Sequence, residues 1–196
     1  MSRSTLLFSA LVLGALAGCG GGGGGSTATP TPTVATSLVY ANPTTGGYQL
    51  VKNAALSTAT HLVLDLTGPS GTQARGLAVG LTFTVAGRAG WAPVTPGGAN
   101  LVQEGGVFTL GAAPRALVGR TVNNGIDLEV GLFQKGAAGS AATLGTAPLA
   151  SVAMDLKAGA TPGAITLAGV PAKCFVQDAT GARVAITPVV GSLSAQ

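Results

Sequence analysis

Residues 77–85 read Leu-Ala-Val-Gly-Leu-Thr-Phe-Thr-Val, with every odd position large and apolar and every even position small or hydroxylated. Successive side chains of an extended chain point to opposite faces. A period of two over nine residues therefore places Leu77, Val79, Leu81, Phe83 and Val85 on one face of a strand, against a core. The pattern recurs in Leu62, Leu64 and Leu66, and again in Ile126, Leu128, Val130 and Leu132 with Asp127, Glu129 and Gly131 opposite. Turn chemistry separates these runs. Asn123-Asn124-Gly125 precedes the last of them, and Asn-Gly supplies the positive φ angles of a tight hairpin. Asp178-Ala179-Thr180-Gly181 divides Phe175-Val176 from Val184-Ala185-Ile186. Residues 149–157 fit two periods, a strand through Val152, Met154 and Leu156 or a helix through Leu149, Val152, Ala153 and Leu156. No other stretch argues for a long helix. Many short strands between Gly/Pro turns predict an all-β sandwich or barrel.

The first 36 residues have a different character. Arg3 opens a positive segment, residues 6–17 are apolar, and the run ends in Leu16-Ala17-Gly18-Cys19. A positive start, a short apolar run and small residues before a cut site describe an exported precursor. The apolar run is shorter than the ~20 residues needed to span a bilayer. Six glycines follow at 20–25, and then Ser-Thr-Ala-Thr-Pro-Thr-Pro-Thr-Val-Ala-Thr. Glycines give a flexible coil and Thr-Pro repeats a stiffer extended segment. At ~3.3 Å per residue, residues 20–36 reach roughly 55 Å when stretched.

Composition narrows the function classes. Loss of Arg3 with the leader takes the formal charge from +4 to +3, and the remaining basic residues are scattered singly. Nucleic-acid binding requires a clustered basic stripe, so no nucleic-acid partner is expected. His61 is the only histidine, and besides Cys19 the only cysteine is Cys174. Zinc sites need several such ligands, so neither a metal nor another cofactor is expected. His61 lies beside the first alternating strand and reads as a strand-edge residue. Cys174 sits in an apolar run and reads as a buried thiol. Asp127 and Glu129 share a strand face, and paired carboxylates hydrolyse glycosides; alternating acids on a solvent face more commonly serve solvation. No catalytic residue is assigned. The candidate binding residues are Arg88 and Trp91, in a Gly-rich loop that carries the only tryptophan, although Trp91 reads better as a buried plug.

Two resemblances add to this. Leu16-Ala17-Gly18-Cys19 resembles the lipobox of bacterial lipoproteins, which implies cleavage between Gly18 and Cys19 and acylation of Cys19. Two or more acyl chains hold a protein stably on a membrane where one does not. Gly20 after the cysteine implies the outer membrane, on its periplasmic or cell-surface side. The order of segments is similar to that of cohesin-type domains. There is a strand and a Gly-Pro-Ser-Gly turn before residues 76–85, then Ile-Asp-Leu-Glu-Val-Gly-Leu-Phe at 126–133. A Gly/Ala-rich loop, residues 147–157 and Gly-Ala-Ile-Thr-Leu at 163–167 complete the series. The likeness covers residues ~60–193 as a strand pattern. It implies a flattened jelly-roll β-sandwich and a strand over 149–157. Val85-Ala86-Gly87-Arg88 stands where that family has a Tyr-Asp-Pro-like turn, and a dockerin partner or cellulosome role is not implied.

The expected organisation is a lipoprotein signal peptide over 1–18, a lipidated Cys19 with a disordered linker to 36, and a cohesin-like sandwich over 37–196. The expected function is that of a non-catalytic envelope lipoprotein, anchored to the membrane through its lipid and binding a protein partner as a scaffold module. A carbohydrate-binding lipoprotein is the alternative, and it requires Trp91 exposed in a groove.

Overall fold

The computed structural model describes residues 33–84, 87–108, 116–134 and 141–196. The alternating stretches become two layers of a β-sandwich. One layer runs β2 (Gln49–Lys52), β3 (His61–Thr67), β10 (Ala150–Leu156), β5 (Ala89–Ala92), with β6 (Val102–Glu104) also on β10. The other runs β14 (Arg183–Ala185), β13 (Phe175–Asp178), β4 (Gln73–Phe83), β8 (Asp127–Phe133), β7 (Ala116–Val122). Two short strands, β9 (Ala142–Thr143) and β12 (Leu167–Gly169), pair with opposite ends of β4. A third sheet, β1 (Leu38–Ala41), β15 (Ser192–Ala195), β11 (Gly163–Ile165), joins the two ends of the described chain. Every ladder between these strands is antiparallel. Among the described residues the helical structure is one 3₁₀ turn, Pro171–Lys173, and no helix is long and apolar enough to cross a membrane.

The core follows the alternation. Leu62, Leu64 and Leu66 of β3 and Val152 and Met154 of β10 meet Leu77, Val79, Leu81 and Phe83 of β4 and Leu128, Val130 and Leu132 of β8, all buried in one cluster. Full burial of such a side chain contributes about 1.5–3 kcal/mol. Within residues 149–157, Ala150–Leu156 form a strand, as the cohesin likeness implied. The strand read from residues 77–85 begins four residues earlier, at Gln73, and Val85 lies outside the described residues.

Two local details add to or depart from expectation. The hairpin between β7 and β8 turns on Asn123 and Asn124, at φ 51° and 54°, with Gly125 N–H donating to Val122 O at 3.1 Å. Gly125 is left-handed as well, at φ 81°, so the Asn-Gly pair supplies positive φ angles as expected and Asn123 joins it at the start of the turn. Residues 163–167 do not form one strand. The chain passes from β11, on β15, to β12, on β4, with Thr166 as the pivot and its carbonyl bonded by Thr84 N–H.

The packed body takes in Ala35, which is buried and donates to Ala160 O. Tyr40 ties the third sheet to the sandwich: its hydroxyl donates to Leu50 O and accepts Gly191 N–H, both at 2.7 Å. A Cβ at Gly191 would lie 1.8 Å from Ala41 O, so this approach of backbone to backbone requires glycine.

Candidate functional site

The two layers have unlike outer faces. On β3 and β10 the outward residues pair across the strands as His61–Asp155, Val63–Ala153 and Asp65–Ser151. His61 Nδ1 lies 2.6 Å from Asp155 Oδ1, and Nε2 lies 3.1 Å from the carbonyl of Val94. Both partners present oxygen acceptors to the ring. Ser151 Oγ donates to one oxygen of Asp65 and Asn53 Nδ2 to the other, at 2.6 and 3.0 Å. Val94 covers Val63 and Ala153 in a small separate apolar cluster. Val94 thus covers the centre of this face, and a network of polar side chains occupies the rest. His61 is the first residue of β3 and is buried there between Asp155 and the Val94 carbonyl.

The outer face of β13, β4, β8 and β7 is crossed at one end by the 3₁₀ turn, which packs over Gly80, and is otherwise uncovered by the described residues. Alternation puts Gly76, Ala78 and Gly80 of β4 outward, beside Glu129, Gly131 and Phe133 of β8, Val118 and Arg120 of β7, and Phe175 of β13. Small residues on the central strands leave a shallow trough of about 530 Å³. Its floor is Ala78 and Gly131, and Val118, 50% exposed, forms one wall.

The two ends of the trough differ in chemistry. At one end Phe133 and Phe175 approach to 5.9 Å between ring centroids, and the guanidinium of Arg183 lies 4.6 Å above the Phe175 ring. The absence of a side chain at Gly76 permits this, since a Cβ there would sit 2.5 Å from the Phe133 ring. At the other end Glu129 holds two cations. Arg120 Nε and Nη2 both reach Oε2 at 2.7 Å, and Lys173 Nζ reaches Oε1 at 2.8 Å. Lys173 crosses above Gly80, where a Cβ would lie 2.8 Å from its own Cβ. The bonds from Lys173 and then Arg120 hold the Glu129 carboxyl below its ordinary value, and Glu129 in turn raises Lys173.

The other residues singled out from sequence fall elsewhere. Trp91 is half-buried, stacked on Phe83 at 4.5 Å, with its indole N–H donated to Ile126 O at 3.0 Å. Arg88 donates to Thr161 O at 3.0 Å and Ala164 O at 3.2 Å, its guanidinium lying against Gly163. The two side chains thus engage different internal partners. Asp127 is buried and accepts a hydrogen bond from Asn123, so it is not the solvent-facing acid expected; Glu129 lies beside it on one strand, not across a cleft. Cys174 is buried after the 3₁₀ turn with Sγ 3.5 Å from Gly80 O, and desolvation pushes its thiol up. Among the described residues no group of three or more His, Cys, Asp or Glu side chains is placed to hold a metal ion. Gly18 and Cys19 lie outside the described residues. The trough itself was not singled out from sequence. Its signal was present as small residues at 76, 78, 80 and 131, but only the register brings them together.

No family model matches the chain, and no curated protein matches it in sequence. Solved structures do match. A chain of a CaDoc0917–CaCohA2 complex is 12% identical, with a TM-score of 0.53 over 74% of this chain and 96% of that one. A chain of a type II cohesin–X–dockerin complex from Acetivibrio cellulolyticus is 10% identical, with a TM-score of 0.53 over 74% and 93%. A chain of a type I cohesin–dockerin complex from Clostridium thermocellum is 8% identical, with a TM-score of 0.50 over 83% and 94%. At these identities the likeness concerns the fold. The protein is an all-β, cohesin-like jelly-roll β-sandwich.

Proposed function

We propose that this protein is a lipid-anchored lipoprotein of a bacterial outer membrane whose sandwich is a non-catalytic protein-binding module. The observation that carries the binding reading is the contrast between the two outer faces. One carries a polar network and is overlaid at its centre by Val94; the other presents a mainly apolar trough with Val118 half-exposed, flanked by Phe175 and charged groups. An apolar centre with charged margins is the anatomy of a protein interface. The neighbours in fold come from complexes of cohesins with dockerins, which supports a binding role for a sandwich of this shape. The signal-like leader, Cys19 and the glycine run support the anchor.

The test of the face is a pull-down from envelope extracts with the full chain and with Val118→Asp. A carboxylate there would put a charge into the apolar centre of the trough, so the specific proteins recovered by the parent chain should be lost. Unchanged thermal melting controls for folding. Recovery of the same proteins by a folded Val118→Asp chain would rule this face out.

A further inference from the structure

The face described above also carries information about what it binds. Its exposed charges are cationic. Arg120 is 67% and Lys173 40% exposed in their side chains, while the Glu129 that joins them is 24% exposed, so the cations stand at the lip and the carboxylate below. One carboxylate shared by two cations leaves a positive charge at that end. At the aromatic end no carboxylate of the described residues pairs with Arg183, whose guanidinium lies on Phe175. Asp127, the other acid on this face, is buried and committed to Asn123. Arg120 and Arg183 belong to strands four steps apart, about 19 Å at ~4.8 Å per step, with the apolar trough between them.

We propose that this face takes a protein segment in which a small aliphatic cluster is bracketed by carboxylates, one near Arg120 and Lys173 and one near Arg183. The proposal rests on the reading of this face as a protein-binding surface. The aliphatic group fills the space over Ala78 and Gly131, and the flanking acids neutralise charge that the chain itself leaves exposed. Complementarity of this kind sets specificity and on-rate more than the depth of binding. The net charge of the whole chain has the same sign and steers acidic partners toward it.

The experiment is selection of a phage-displayed random peptide library on the immobilised full chain, followed by titration of the selected peptides as synthetic probes. Enrichment in Asp and Glu on both sides of aliphatic residues is expected. Affinity should fall with added salt and drop about tenfold in Arg120→Gln/Arg183→Gln, a pair that adds no negative charge beside Glu129. Neutral or basic peptides that lose binding in Val118→Asp but are indifferent to salt and to the arginine changes would overturn the charge assignment while leaving the face in place. Peptides that bind Val118→Asp as they bind the parent, or failure to enrich any sequence, would overturn both.

Discussion

Replacing Glu129 by Gln removes the negative charge shared by Lys173 and Arg120, and pH separates that loss from a simple loss of packing. The folded carboxyl is held below its ordinary value of 4.5. Its contribution to stability is therefore present above the unfolded value and is lost as pH falls through the lower, folded one. Glu129→Gln should be less stable than the parent at neutral pH, by a small margin because the groups face solvent. The gap in urea midpoint should close as pH drops below the ordinary carboxylate range. A gap that persists there would mean the acid acts through packing. This ion-pair cluster was not legible in the sequence. Lys173 and Glu129 lie far apart along the chain, and only the 3₁₀ turn before β13 brings the lysine above β4. The same holds for His61 and Asp155, which meet because the register of β3 against β10 places them opposite each other.

The long strands were readable because one face of each is buried, and burial imposes the period that the eye detects. β3, β4 and β8 follow their leucines. Strands of three or four residues, such as β5, β6 and β14, are too short to show a period and are defined by their neighbours. The break at Thr166 was hidden for another reason: both halves are extended, and only the change of pairing partner divides them. Turn chemistry was legible to within one residue. The β7–β8 hairpin supplies a test at this scale. Asn124 sits at φ 54°, where a β-branched side chain is strained. Asn124→Val should cost roughly 1–2 kcal/mol in urea unfolding, whereas Asn124→Gly should leave stability within about 0.5 kcal/mol. Equal effects of the two would mean that the turn adopts another conformation.

Across the whole molecule, the sandwich supplies a surface and the proposed anchor decides where that surface is presented. Cys19→Ser should move the protein from the membrane pellet to the soluble fraction of envelope preparations and abolish labelling by a fatty-acid analogue. Retention in the pellet with undiminished labelling would remove Cys19 as the lipid carrier. An unchanged melting temperature of the sandwich in that variant would show that the shift comes from loss of the anchor and not from unfolding.

The small third sheet gives such a tether a mechanical character. β1 and β15 lie antiparallel with Leu38 opposite Ala195, and the backbone amides of Thr36 and Ser37 are bonded to Gln196. Tension applied between these two ends meets the hydrogen bonds one after another, as in a zipper, and the sheet yields at low force. Tension between residue 36 and a partner seated on β4 and β8 follows a different path. It passes into β1, whose Tyr40 is bolted to Leu50 and Gly191, and from there into the leucine core. A load along that second path is shared between the β1–β15 ladder and Tyr40, which passes it on to Leu50 and the core.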